Sequence, residues 1–466
     1  MKNGAYMMKL NTYDLTQGGI LKKLLLVAVP IMGTQLMQMA YNLTDMFWLG
    51  RTPNSVTAVA ASGLAGMFLW FGASLMMMGR MGAEIGTSQS LGRSDIDAAR
   101  GYAQDSGRIA LILGIVYGGI LLGLARPLVG LLQVKDPVVL GSASAYLRIV
   151  AFGIPLTYLS AAITGAFNGA GNSRLSFLAN SVGLLVNMIL DPLMILGLGW
   201  GVGGAAIATV TAQGVVLLLF VWFAKRHPQR PFVHFNVFGR INWETVGEIT
   251  RWSLPIAIES AAFTALAMVV TAMVSANYGE TAVAVQRVGS QIESLSWLIG
   301  GGFASAVTAF VGQNYGARKW GRIRKGYRIS LMVLLSWEVL VTALLVLGGR
   351  FLFSLFLREP EILDMGATYL RILAGSQLFM ALEGACSGVF RGIGKTLPPS
   401  ICSITSNLFR PLLCWWLMHR MGLNGLWMGI TLSASLRGLS VFVWYTLYQR
   451  RMPLASESAE AMSVSV

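Results

Sequence analysis

Two acidic residues sit deep inside apolar stretches of this 466-residue chain, and each brings polar neighbours at helical spacing. Asp191 closes the segment Asn187-Met-Ile-Leu-Asp191, just before Pro192, within an apolar run from about Leu175 to Leu198. Asn180, Asn187 and Asp191 fall at i, i+7 and i+11, on one face of a helix. In an earlier run, Gln38, Tyr41 and Asp45 fall at i, i+3 and i+7, again on one face, and Pro30 precedes them. An ionised carboxylate in hydrocarbon is costly unless it is solvated, paired or neutralised, so such a residue is a functional-site hypothesis from the outset. Two chemistries suit the pair. With Asn187 and Thr209 nearby, the carboxylates would offer oxygen ligands to a small hard cation such as Na⁺, with Asp45 and Asp191 as the charged ligands. Alternatively they would share a proton, because two close carboxylates resist joint ionisation in a low dielectric. The plainer readings are an acid paired with a buried base for Asp191, and a helix-end acid reaching interfacial water for Asp45.

These residues need helices that cross a bilayer. The chain is 55% hydrophobic and only 12% charged, with a mean hydropathy of +0.63. Its 54 glycines suit close helix contacts in lipid. The 24 methionines are read as flexible core filler, with an adaptable cavity lining as the alternative. About twelve apolar runs reach spanning length, and none shows the period-two alternation of an outer-membrane barrel. The first, from about Leu24, is too long for a signal-peptide core. Lys and Arg outnumber Asp and Glu by 35 to 20. These bases cluster in alternate gaps between runs, as at Lys225 and Arg226 or Arg318, Lys319 and Arg322. They therefore read as topology signals facing anionic headgroups rather than as a nucleic-acid surface, and they place both termini in the cytoplasm. Cys386, Cys402 and Cys414 show no disulfide or zinc pattern, and His227, His234 and His419 make no cluster. No nucleophile–base–acid arrangement suggests catalysis.

The chain also repeats itself. GTSQSLGRSD (86–95) echoes AFVGQNYGARK (309–319), FNGAGNS (167–173) echoes FRGIGKT (390–396), GVGGAAI (201–207) echoes GLNGLWM (422–428), and Pro30 answers Pro255. Four ordered matches at near-constant offset divide the chain into two halves of six spans with the same orientation. The expected organisation is a cytoplasmic arm (1–23), an N-terminal lobe (24–224), a basic linker (225–248), a C-terminal lobe (249–450) and a disordered tail (451–466). With the N-terminus inside, Asp45 lies about 33 Å of helix beyond Lys23, and Asp191 about 26 Å beyond Arg174. Thr209, on a helix returning from outside, lies about 9 Å below Gly203, so all three share a depth in the outer half of the membrane. The repeat puts Arg410 opposite Asp191 and Val270 opposite Asp45, so the acidic pair belongs to one lobe. The other lobe carries Glu259, Glu293, Glu338, Glu383, Arg287, Arg410 and Arg437. Mutual pairing is the first expectation for them. The second is that Glu259 or Glu383 faces the central cavity and attracts cationic substrate, with Arg410 as a further candidate lining that cavity.

With these residues in hand, the chain resembles the multidrug and toxic compound extrusion (MATE) transporters of the broad bacterial branch. The resemblance spans about 20–450. It rests on Pro30 with Gln38, Tyr41 and Asp45, on NGAGNSR, NMILDP and GVGGAAIAT, and on the repeated Gln-x-x-Gly turn. It implies an all-α membrane protein of twelve helices in two six-helix bundles, V-shaped around a central cleft, working as a monomer among the lipids of the cell's inner membrane. It implies no enzyme and no cofactor beyond a coupling ion, Na⁺ or H⁺, exchanged for organic cations or other small amphipathic compounds. The family's N-lobe cation site uses positions that match Asp45, Asn187, Asp191 and Thr209. Pro30 matches a proline where helix 1 bends, and Gln38, Tyr41 and Asn180 support the cavity. Some branches use a helix 7 glutamate eight residues after the proline, but here that position is Phe263, and Glu259 lies only four after Pro255. A lipid or lipid-linked saccharide flippase of the same superfamily is the alternative kept open by Arg410 and Arg437; a channel or a membrane enzyme fits less well.

Overall fold

The computed structural model describes residues 14–52, 55–132, 134, 136–226, 232, 235–356 and 359–451. The expectations for the first residues of the arm, for His227 and His234, and for the tail beyond 451 lie outside the described residues. Among those described, the chain is helical with no strand. In order the helices are α1 (Ile20–Leu49), α2 (Ser55–Gly92), α3 (Ile96–Gly130), α4 (Pro137–Ala151), α5 (Ile154–Gly169), α6 (Ser173–Pro192), α7 (Gly201–Arg226), α8 (Trp243–Gly316), α9 (Trp320–Ser354), α10 (Pro360–Gly392) and α11 (Leu397–Gln449).

Nine of these are long and apolar enough to cross a membrane, or ten when α4 and α5, bent by 50°, count as one span. Two are too long for one crossing. At 74 residues α8 is about 110 Å long, and at 53 residues α11 is about 80 Å, against a hydrocarbon core of about 30 Å. Each is broken once at a glycine with positive φ, Gly279 (φ 76°) and Gly422 (φ 62°), where a side chain would strain the backbone. Counting each as two gives twelve spans among the described residues. Their outer faces carry large apolar side chains such as Leu218 (70% exposed) and Leu347 (86% exposed), as lipid-facing surfaces require.

The chain divides into two compact units. The first holds Met1–Asp14 and Val29–Ala257, the second Leu15–Ala28 and Ile258–Val466. Pro30 in α1 and Pro255 in α8 each lie within three residues of a point where the chain passes between units. In the second unit the segment before α1 is pinned by side chains of the Gln313–Arg322 turn. Gln313 accepts from the Leu15 amide (2.9 Å), Asn314 and Arg322 donate to its carbonyl (both 3.2 Å), and Lys319 donates to Thr16 (3.0 Å). In the first unit Arg108 performs the matching task on the loop before α8, donating to the carbonyls of Val237 (2.9 Å), Asn236 (3.2 Å) and Arg240 (2.6 Å).

The repeat is written into the turns. After α5, the Asn172 amide donates to Phe167 O (2.8 Å) and Gly171 to Asn168 O (2.9 Å). After α10, Lys395 donates to Phe390 O (2.8 Å) and Gly394 to Arg391 O (2.9 Å). Both are glycine-terminated helix caps, with φ of 77° at Gly171 and 76° at Gly394. This gives the glycines of NGAGNS and RGIGKT a backbone task.

Candidate functional site

Four helices of the first unit bring polar groups together. Tyr41 and Asp45 come from α1, Tyr146 from α4, Asn187 and Asp191 from α6, and Thr209 from α7. Small residues let these helices approach. A Cβ on Gly33 of α1 would lie 2.9 Å from the Phe177 ring of α6, and one on Gly183 of α6 would overlap Val216 of α7. Immediately after Asp191 the α-helix stops at Pro192 and widens into a π-helical turn, Leu193–Gly197. Proline supplies no amide to the ladder, and such widened turns recur where a helix serves a site.

The polar contacts are specific. Thr209 Oγ1 donates to its own helix at Ala205 O (3.0 Å), so Tyr41, whose hydroxyl lies 3.3 Å away, donates to Thr209. Tyr146 also reaches the Thr209 hydroxyl. Asn187 donates through Nδ2 to Asp191 Oδ1 (3.3 Å), and both side chains are buried, at 2% and 0% exposed. Asp45 and Asp191 lie within electrostatic reach of one another, and Tyr41 and Tyr146 within reach of both. Three buried oxygens in this group, Asp45 Oδ1, Asp191 Oδ2 and Asn187 Oδ1, accept no hydrogen bond from the protein. A buried acceptor without a donor is costly, and three together favour a positive species. The set is all oxygen, two of it anionic, which suits an alkali cation or a proton.

Asp45, Asn187, Asp191, Thr209 and Tyr41 are therefore brought together. Gln38 is not: it is exposed and donates along its own helix to Asn42 (3.3 Å). Asn180 donates to Ser176 O (2.7 Å) and Thr164 (3.4 Å), which ties it to α5 rather than to the acids. In the second unit Glu259 pairs with Arg391 (3.7 Å) and accepts from Ser400 (2.8 Å), while Glu383 pairs with Arg437 (2.8 Å). Arg410 pairs differently. It donates to Ser433 (2.8 Å), and its guanidinium lies 5.5 Å from the centre of the Phe263 ring. Sequence reasoning missed Tyr146, which sits in SASAYLRIV without a polar stripe. The repeat held the signal, because Tyr369 occupies the matching position at an offset of 223 and lies within reach of Glu293 and Arg410.

The MatE family model matches this chain twice, over residues 30–193 and 255–416. The chain belongs to the MATE family. The two matched stretches start 225 residues apart, the spacing of Pro30 and Pro255. Among curated proteins, the chain is 28% identical over 425 residues to a probable multidrug resistance protein NorM of Thermotoga maritima, covering 88% of this chain and 89% of that one. It is 26% identical over 470 residues to the multidrug resistance protein PmpM of Pseudomonas aeruginosa, covering 95% and 96%. Among solved structures, a MATE protein crystallised with MaD3S superposes with a TM-score of 0.88 at 24% identity, covering 94% of this chain and 98% of that one. A MOP superfamily transporter from Pyrococcus furiosus, described as having a binding pocket of reverse polarity, gives 0.87 at 24% identity, with the same coverage. The all-helical MATE fold expected from the sequence is the fold found.

Proposed function

We propose that this MATE family member is a secondary active efflux transporter, exchanging Na⁺ or H⁺ for organic cations or amphipathic drugs by alternating access. The observation that carries the reading is the shared surroundings of Asp45 and Asp191, where three buried oxygens receive no hydrogen bond from the protein. Family membership and the multidrug resistance names of the relatives support the substrate class. In this reading the ion binds Asp45 and Asp191 with Asn187 and Thr209. Tyr41 and Tyr146 orient the Thr209 hydroxyl, and one of these two contacts must open for Thr209 to ligate the ion. Ion binding from outside alters how α1 packs beyond Pro30 and favours release of substrate outward; the ion-bound protein then turns inward, where substrate binding displaces the ion. Coupling requires that the ion bind the two states with different affinity. The lobes are 24–224 and 249–450, the linker is 225–248, and the protein acts as a monomer in the inner membrane with both termini in the cytoplasm.

The test is transport in proteoliposomes with separately imposed Na⁺ and pH gradients and a panel of cationic, zwitterionic and anionic compounds. One gradient should drive cationic substrate out, and Asp45→Asn and Asp191→Asn should each stop it. Gradient-driven export by either variant at the wild-type rate would refute the assignment. A flippase reading draws on Arg410, which has a hydroxyl and a ring beside it and would suit a phosphate headgroup. Selective movement of anionic lipid-linked compounds in the same panel would establish it instead.

A further inference from the structure

The second unit holds a chain of four polar side chains across α8, α9 and α10 that is one hydrogen short. Ser296 Oγ lies 2.7 Å from Glu338 Oε2 and 3.0 Å from Gln377 Oε1. Gln377 Nε2 lies 3.0 Å from Glu293 Oε1 and 3.3 Å from Leu373 O. Gln377, Glu338 and Ser296 are 0%, 1% and 2% exposed, so bulk water does not supply the difference. A serine hydroxyl carries one hydrogen and two acceptor sites. If it donates to Glu338, two bare oxygens face each other at 3.0 Å. Turning the Gln377 amide over would repair that contact, but it would set Oε1 against both Glu293 and the Leu373 carbonyl. The Leu373 contact therefore fixes the amide with Nε2 towards Glu293. Ser296 must then donate to Gln377, and the remaining hydrogen, between Ser296 and Glu338, can come only from the carboxyl.

We propose that Glu338 is held as a neutral carboxylic acid and is a proton-binding site of the second unit, separate from Asp45 and Asp191. Its ionisable neighbour is Glu293, which in turn lies within reach of Arg410, Arg437 and Tyr369. The two cations give Glu293 reason to carry the charge and Glu338 reason to carry the proton. On release the O–H bond of Glu338 breaks and the proton passes to a water that enters only when the helices around it part, since the site as packed is closed to bulk water. The Ser296 hydroxyl turns to the new carboxylate, and Gln377 must leave either Ser296 or Glu293. Proton loss at α9 thus loosens a contact between α8 and α10. The chain is not a requirement of the fold. At an offset of 224 from Ser296 and Glu338 the first unit has Gly72 and Gly114, and the space is taken by Tyr117 and Tyr158, which donate to Phe68 O (2.6 Å) and Gly72 O (2.5 Å).

The test is infrared spectroscopy of the full chain, reconstituted in lipid at neutral pH, in an Asp45→Asn/Asp191→Asn background. That background does not depend on transport, so the outcome stands apart from the antiport reading. A carbonyl band of a protonated carboxyl should be present, persist in NaCl, remain in Glu293→Gln and disappear in Glu338→Gln. Absence of the band in the background, its survival in Glu338→Gln, or its removal by NaCl alone would each overturn the proposal. Should Glu338→Gln not accumulate, Ser296→Ala serves. It removes the acceptor of the Glu338 hydrogen, so the band must move to higher frequency, and an unmoved band overturns the assignment.

Discussion

The two units repeat one another in sequence but place their charges differently. In the first, the polar residues converge on two acids with three oxygens left without donors. In the second, Arg410 stands where the first has Asp191, Val270 where it has Asp45, and Glu259, Glu293, Glu338 and Glu383 are paired or hydrogen-bonded. A tyrosine survives at the same place in both, Tyr146 and Tyr369, each within reach of the local charges. A duplicated bundle thus keeps the helix crossings, which packing dictates, and lets the buried charges diverge. The crossings show the constraint. A Cβ on Gly169 would meet Glu84 O at 2.5 Å, and one on Gly392 would meet Thr308 O at 2.8 Å, the same contact at offsets of 223 and 224. Elsewhere the partners have traded places. In the first unit Gly86 receives the ring of Tyr102; in the second, Phe310 occupies the place of Gly86 and its ring lies over Gly326, in the place of Tyr102.

The largest expected effect separates the two charge sets. Asp191→Asn should reduce substrate export to the protein-free background while the protein still accumulates in the membrane. Glu383→Gln in the second unit should retain most of the rate. Both are read as drug efflux in proteoliposomes, and equal losses would erase the functional contrast between the units. Next comes the shared scaffold. Gly165→Val drives a branched side chain into the Arg80 carbonyl and should cost upwards of about 2 kcal/mol, read as a lowered thermal midpoint in detergent. Gly388→Ala, with Ala304 O at 2.9 Å, should cost less but carry the same sign. The traded ring offers a sharper test. Gly86→Phe alone should destabilise, and adding Tyr102→Gly should recover at least about 1 kcal/mol, the coupling expected of residues in contact. Strict additivity would show that the two units do not use equivalent crossings.

Much of this was legible in the residues. Apolar run lengths gave the spans, because a bilayer fixes how many residues a helix needs. Four short echoes gave the repeat, because glycine-capped turns tolerate few alternatives at Gly171 and Gly394. Helical spacing brought Tyr41 and Asp45 into the group, yet the same rule also nominated Gln38 and Asn180, which face elsewhere. Spacing says which residues share a face but not which neighbour that face meets. Tyr146 escaped for the converse reason: it joins the site through helix packing, with no periodic partner on α4. The Glu338 chain could not be read at all, since its four members are scattered over 85 residues from Glu293 to Gln377 and only their contacts reveal the missing hydrogen.

The smallest expected effects lie within the second unit and test whether its ion pairs hold it together. Arg437 and Glu383 are only 13% and 20% exposed at the side chain, whereas Arg350 and Asp364, 3.2 Å apart between α9 and α10, are 61% and 64% exposed. Removing one partner of a pair withdrawn from water leaves an uncompensated charge; removing one at the surface leaves a solvated charge. Arg437→Gln should therefore lower stability by about 1–3 kcal/mol, with Glu383→Gln recovering part of the loss when combined. Arg350→Gln should stay within about 0.5 kcal/mol of wild type and be insensitive to added salt beyond that range. Chemical or thermal denaturation in one detergent reads both. If Arg437→Gln proved as silent as Arg350→Gln, the Glu383 carboxylate would have to be satisfied by something other than its arginine, and pairing would no longer explain why the second unit keeps its membrane charges.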